Sequence, residues 1–343
     1  MTVRVGIVGI GYGQQVLLPA FRAVPGCSVV ALAASSAERA QVVAARCAVP
    51  SSFGDWRELV RSDDVDAVAI AVTPLIQPDI AVEALELGKP VFCEKPLAAA
   101  LEPARRLAAV ARRSGSPTAV DFLFPEIPSW QQAKTILENG DVGKVRYVTV
   151  DWSVETYANR KRTESWKTTA SLGGGALNNF CSHTLYYLEW LLGPIRSMSA
   201  SRFRAADDAR EGETAVTLRM DGVGGLGIAA HVNTAAQFMH RHRIEVFGES
   251  GTLVLENREA DYVSGFRLWL AQNGAETLSE VPCTPTPRGT DGRVMAVSAI
   301  ASRFLDSILH GSPLRPTVAD GLRVQELLDA ASRAFKSRTV VEV

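Results

Sequence analysis

The sequence predicts an α/β fold in two parts, on three observations. The first third alternates short runs of valine, isoleucine and alanine with helix-period segments, and a glycine turn separates the first run from the first helix. After about residue 121 the rhythm changes to many strand-like runs joined by glycine- and aspartate-rich turns. Strands apolar on both faces belong to a parallel sheet covered by helices, whereas runs joined by tight turns pair antiparallel. The 343 residues suffice for about two domains, set here at 1–120 and 121–343.

The elements follow in order. "VRVGIVG" (3–9) is a strand, and 14–24 carries apolar residues at helical period. "SVVALAA" is a strand and 37–47 a helix; "VDAVAIAV" (65–72) is a strand and 78–88 a helix; "PVFCE" (90–94) is a strand and 101–114 a helix. Beyond 121 the sequence predicts a helix near 129–139, then strands at 144–156, 196–205, 213–220, 225–234, 243–247, 252–256 and 265–270, and a last helix over 317–336.

Composition narrows the function classes. Hydrophobic residues make up 47% and charged residues 21% of the chain, which allows a large core. A net charge of -1, from 36 basic and 37 acidic side chains, offers no field for nucleic acid or an anionic membrane. No apolar run approaches the roughly 20 residues of a membrane span, and the N-terminus lacks a signal-peptide pattern. Five cysteines without a C-x-x-C pair indicate reduced thiols in a cytoplasmic protein. His240 and His242 form an H-x-H pair, but no obvious third ligand accompanies them. An exposed polar face is therefore expected there, and no metal site.

The glycine turn is "GIGYGQ". Gly9 permits the tight turn, Gly11 lets the backbone approach a pyrophosphate, and the helix behind them offers its free N–H groups. The usual third glycine would stand at 14, where this chain has Gln14. Between the first strand and first helix of a βαβ series, this turn predicts a dinucleotide-binding Rossmann domain. After the second strand come Ser35, Ser36 and Arg39, with no carboxylate to bind a ribose hydroxyl. That pattern leans to NADP over NAD; the competing account is that Ser35 caps a helix and Arg39 is solvated. Lys95, in "EKP", ends a parallel strand, on the edge where ligands bind.

With these motifs the chain resembles the glucose–fructose oxidoreductase/inositol dehydrogenase family. The resemblance rests on "GIVGIGYG", on Thr73-Pro74, on "GKPVFCEKP", on "GGGALNNFCSH" (173–183), on "RIEVFGESGTLVLE" (243–256) and on "SPLRPTVADGLRVQELLDAASRA" (312–334). It implies a Rossmann domain followed by an α+β domain with a large, mainly antiparallel sheet, and a homodimer or homotetramer formed through that sheet. It also implies an NAD(P)-dependent oxidoreductase that interconverts a secondary alcohol and a ketone on a sugar, cyclitol or nucleotide-sugar. Cofactor contacts are then expected from Gly9, Gly11, Tyr12, Gly13, Ser35, Ser36, Arg39, Thr73, Pro74, Glu94, Lys95 and Pro96.

In that family the glycine run is followed by an aspartate and, four residues later, a histidine. Those places fall on Asn179 and His183, one helical turn apart in the helix-period stretch 177–192. Asn179 can only give or take hydrogen bonds, so proton transfer falls to His183, with Lys95 as oxyanion stabiliser or rival base. Lys95 and His183 are expected to meet at the nicotinamide. Two places commonly occupied by histidine are Leu17 and Gln77, losses not expected to touch the proton chemistry. Substrate contacts are expected from Lys95, Asn179 and His183, joined by Arg160 and Trp166. The basic segment 160–167 suits a nucleotide-sugar diphosphate, though a solvated loop explains it as simply. Two other functions remain open: a glycosidase that retains its nicotinamide, and a non-catalytic dinucleotide-binding regulator.

Overall fold

The structure, a computed structural model, describes residues 2–206, 208–284 and 291–343. The chain forms two compact units: one runs to Leu123 and adds Arg293–Gln325, the other comprises Phe124–Gly292 and Glu326–Val343.

The first unit is built on six parallel strands. They are β1 (Val3–Val8), β2 (Cys27–Ala33), β3 (Ser51–Phe53), β4 (Ala67–Ile70), β5 (Val91–Cys93) and β6 (Thr118–Val120). Their order is β3-β2-β1-β4-β5-β6. The chain thus winds outward from β1 in both directions, and the order reverses beside the glycine turn, where such sheets open a crevice. β4 and β5 are buried at every residue, as strands covered on both faces must be. Helices Ala37–Arg46, Gln77–Glu86 and Leu101–Ser114 match the expected segments within two residues.

A long helix, Gly292–His310, goes unread in the sequence, yet its Val297, Ile300, Ala301 and Phe304 belong to the core beneath β1 and β5. Phe92 on β5 is the hub of that core. It meets Phe21 edge-on at 5.2 Å and Phe304 at 5.9 Å. Edge-to-face packing adds to the apolar area that the rings bury.

Among the described residues the second unit carries nine strands. They are β7 (Val145–Glu155), β8 (Ile195–Phe203), β9 (Ala215–Gly222), β10 (Gly227–Asn233), β11 (Ala235–Gly248), β12 (Gly251–Asn257), β13 (Arg267–Gln272), β14 (Ser279–Val281) and β15 (Val341–Glu342). Their order is β14-β13-β12-β11-β7-β10-β9-β8-β15. Every pairing is antiparallel except β10 with β7. The mainly antiparallel sheet expected from the sequence is therefore present.

The strand read at 243–247 is only the end of β11, which runs for 14 residues and carries a bulge between Ala235 and His240. Its first half, "AAQFMHRH", lacks alternation, so period could not reveal it. Along β9 and β10 alternate residues are buried, and one face of the sheet receives the helices Pro128–Glu138 and Ser182–Leu192. The other face bears ion pairs such as Arg243 with Glu245 at 2.8 Å. Tyr147 and Phe247, partners across β7 and β11, stay partly exposed.

Truncating Phe92 to alanine should cost roughly 3–5 kcal/mol, because a fully buried hub leaves a cavity that helices on both sides must refill. Urea unfolding of Phe92→Ala reads this directly; a loss below about 1 kcal/mol would contradict the packing described.

Candidate functional site

The glycine turn after β1 behaves as three different residues. Gly9 has φ +101°, and a Cβ there would lie 2.2 Å from the Ala71 carbonyl oxygen. Around Gly11 nothing lies within 4 Å, so the backbone is open to a ligand. A Cβ on Gly13 would come 3.0 Å from Ile7, so this glycine lets the helical run 13–22 lie close on β1. The close-packing role thus falls on Gly13, and Gln14 instead accepts a hydrogen bond from Arg46. A tight turn, an open approach and free helical N–H groups fit a dinucleotide pyrophosphate.

The end of β2 is polar but already organised. Ser36, not Ser35, caps the helix Ala37–Arg46 by accepting from the Arg39 backbone at 3.4 Å. The Arg39 guanidinium reaches Ser35 Oγ at 3.0 Å and is exposed. After β4, the Thr73 carbonyl accepts from Gln77 and the Pro74 carbonyl from Ala99, which fixes the turn into the helix Gln77–Glu86.

Gln77 shows what sequence reasoning missed. It is 1% exposed, and its side-chain amide donates to the carbonyls of Glu94 (2.6 Å), Pro96 (3.2 Å) and Leu97 (3.2 Å). Its side-chain oxygen accepts from the Glu94 backbone at 3.1 Å. Gln77 therefore clamps the loop that carries half-buried Lys95, a structural role that the sequence did not reveal. Leu17, the other place where a histidine is common, is fully buried in the core.

Glu94 and Asp121 close the carboxyl ends of β5 and β6, and both are buried. Tyr12 donates its hydroxyl proton to Asp121 at 2.9 Å, and Arg293 lies over the Tyr12 ring at 5.3 Å. Burial and mutual proximity raise the Glu94 carboxyl well above the ordinary carboxylate range, while Lys95 opposes the shift. Asp121 went unremarked in the sequence; its signal was a carboxylate directly after an apolar strand.

In the second unit, the stretch from 177 opens with a π turn, Leu177–Cys181, and continues as the α-helix Ser182–Leu192. The glycines before it are packed against other parts of the protein. A Cβ on Gly174 would strike the Trp166 carbonyl at 2.2 Å, and one on Gly175 the Glu213 carboxylate at 2.3 Å. Glu213 accepts from the Leu177 N–H at 2.9 Å, and burial raises its pKa. It anchors the start of the helix, and nothing in the sequence marked it. Asn179 donates its side-chain amide to the carbonyls of Lys167 (3.2 Å) and Gly175 (3.1 Å).

His183 is 4% exposed and meets the Phe124 ring edge-on at 5.1 Å. Arg160 is exposed, 6.0 Å over the Tyr157 ring, and Trp166 is half-buried with Lys167 beside it.

The H-x-H pair needs a correction. His240 is exposed, but His242 is 2% exposed, so no common polar face exists. His242 stands opposite Trp152 across β11 and β7, stacks on its ring at 4.2 Å and 3°, and bonds the Tyr187 hydroxyl at 3.0 Å. Phe124, Trp130 and Phe266 surround it, and this burial pushes its pKa down to about 3. Among the described residues no group of three or more histidines, cysteines and carboxylates could hold a metal ion. No described helix is long and apolar enough to cross a membrane.

Residues 3–122 match the family profile for an oxidoreductase family with an NAD-binding Rossmann fold, and residues 134–343 match its C-terminal alpha/beta domain. The chain belongs to the GFO/IDH/MocA oxidoreductase family. An uncharacterised oxidoreductase of Synechocystis sp. is 29% identical, covering 99% of this chain and 95% of the relative. The dTDP-3,4-didehydro-2,6-dideoxy-alpha-D-glucose 3-reductase of Saccharopolyspora spinosa is 28% identical over 74% of each chain. The crystal structure of an NAD-binding oxidoreductase from Klebsiella pneumoniae superimposes with a TM-score of 0.87 at 25% identity, covering 100% of this chain and 99% of that one. Membership makes this GFO/IDH/MocA protein an NAD(P)-dependent dehydrogenase by class.

Two outcomes test the site's scaffolding. Gln77→Ala removes the side-chain donor from three carbonyls, while the Glu94 N–H keeps the Ile70 carbonyl, and should destabilise the protein by about 2–4 kcal/mol in urea unfolding. His242 stays neutral in the fold down to about pH 3, whereas an unfolded histidine protonates near 6.5. Stability present above 6.5 is therefore lost as the pH falls toward 3, by about 1.4 kcal/mol per pH unit for one proton. His242→Phe should flatten the unfolding free energy over that window by this slope; an unchanged slope would mean that another group supplies it.

Proposed function

We propose that this enzyme interconverts a secondary alcohol and a ketone on a sugar, cyclitol or nucleotide-sugar, with NADP or NAD. The observation that carries the reading is Lys95, held by Gln77 at the carboxyl end of β5 in the same unit as a glycine turn shaped for a pyrophosphate. A bound nicotinamide would supply the hydride acceptor or donor. Gly11 and the helical N–H groups behind it hold the phosphates, and Thr73, Pro74, Glu94 and Pro96 line the approach to it. The Ser35–Arg39 pair, with no carboxylate at the end of β2, supports a preference for NADP.

In oxidation, the Lys95 ammonium stabilises the alkoxide that develops on the reacting oxygen, and the imidazole of His183 takes the hydroxyl proton. In reduction His183 returns that proton. Asn179 serves the site through its hydrogen bonds, which fix the strap from Lys167 to Gly175. Arg160 and Trp166 suit the diphosphate and base of a nucleotide-sugar, in keeping with the dTDP-sugar reductase among the relatives. A homodimer or homotetramer through the sheet's ion-paired face belongs to the same proposal, supported by the partly exposed Tyr147 and Phe247 there.

The test is a panel of sugars, cyclitols and nucleotide-sugars with both cofactors, following reduced nicotinamide. Lys95→Met should lose about 100- to 1,000-fold in kcat while still binding cofactor. Unchanged turnover would remove Lys95 from the chemistry. Hydrolysis of a glycoside without net change in reduced nicotinamide would instead identify a glycosidase, and cofactor binding without any turnover a regulator.

A further inference from the structure

Two carboxyl groups of the first unit have more to explain than cofactor binding asks of them. Cys93 on β5 pairs with Val120 on β6, so Glu94 and Asp121 are the next residues along neighbouring strands. Glu94 is 9% exposed and Asp121 1%. One oxygen of each is satisfied. Glu94 Oε2 accepts from the Lys95 N–H at 3.1 Å, and Asp121 Oδ2 accepts from the Tyr12 hydroxyl at 2.9 Å. The other two, Glu94 Oε1 and Asp121 Oδ1, are buried and reached by no donor among the described residues. The two side chains nevertheless lie within hydrogen-bonding reach of each other.

Two ionised carboxylates cannot bond, and in a dry site their repulsion is severe. A single proton resolves both difficulties at once, because a carboxyl O–H on one side donates to the carboxylate on the other. The titratable and charged groups facing the pair are the Tyr12 hydroxyl, the Cys93 thiol, the Lys95 ammonium and the Arg293 guanidinium. Lys95 and Arg293 oppose a second proton, and burial opposes a second charge.

We infer that Glu94 and Asp121 hold one proton between them, and that this singly charged bridge is the counter-charge of Lys95. The proton resides on Glu94, because the Tyr12 hydroxyl stabilises the charged form of Asp121. Asp121 thereby becomes a positioning residue that acts through Glu94 and Lys95. The bridge rests on the strand register, the burial and the two unpartnered oxygens; only its service to Lys95 rests on the function proposed above.

Difference infrared spectroscopy of the full chain without cofactor tests the bridge. Near neutral pH the wild type should show the carbonyl stretch of a protonated carboxyl group. Both Glu94→Gln and Asp121→Asn should lack it, because in the second the introduced amide donates to Glu94 and lets it ionise. Absence of the band from wild type, or its survival in Asp121→Asn, would overturn the inference. Should either variant fail to fold, wild type alone decides: the band must be present near neutral pH and vanish on alkaline titration.

For the service to Lys95, the double variant Glu94→Gln/Asp121→Asn removes the remaining charge. The alkaline limb of kcat/KM should then fall by about one pH unit or more relative to either single variant. A limb that does not move would remove the counter-charge role and leave the infrared result to judge the bridge.

Discussion

The loop Glu94–Lys95–Pro96 leaves the sheet after a last backbone bond from Glu94 to Ile70 on β4, and its carbonyls must find donors off the sheet. Gln77 provides them, meeting three carbonyls and one N–H from a single side chain. A buried amide with every arm engaged holds a loop more firmly than the loop could hold itself. The environment of Glu94 and the course of the loop that carries Lys95 both depend on this clamp.

Much of the first unit was legible because parallel strands are short, apolar and punctuated. β1, β2, β4 and β5 stood out by composition, and the turn Gly9–Gly13 by its place between strand and helix. Periodicity failed where it was absent. The opening half of β11 mixes apolar and polar residues without alternation and is bulged, and the two- and three-residue strands β15 and β14 are too brief to show a period. The helix Gly292–His310 is strongly apolar in its buried turns, yet its partners lie in the first part of the chain, out of reach of any local window.

The site was half legible for a similar reason. Lys95 and His183 are ionisable residues set in recognisable motifs, so the sequence could single them out as candidates. Gln77, Asp121 and Glu213 act by touching other residues, and contact across tens of positions has no signature in a single sequence. His242 misled because an H-x-H pair on a strand reads as two residues on one face. The two stand in continuous register opposite Val154 and Trp152, but His240 lies in solvent whereas His242 is sealed against Trp152. Asn179 was expected to work by hydrogen bonds and does so, though toward the backbone of its own strap.

The triple glycine bears on how this scaffold can diversify. Positions 174 and 175 are filled by the Trp166 carbonyl and the Glu213 carboxylate, so any larger residue there would push the strap off its helix. Directed evolution toward a new substrate therefore has little room at the most conspicuous motif in the unit. The exposed side chains of 157–166 differ in this respect, since their volume and charge can change without moving the backbone underneath.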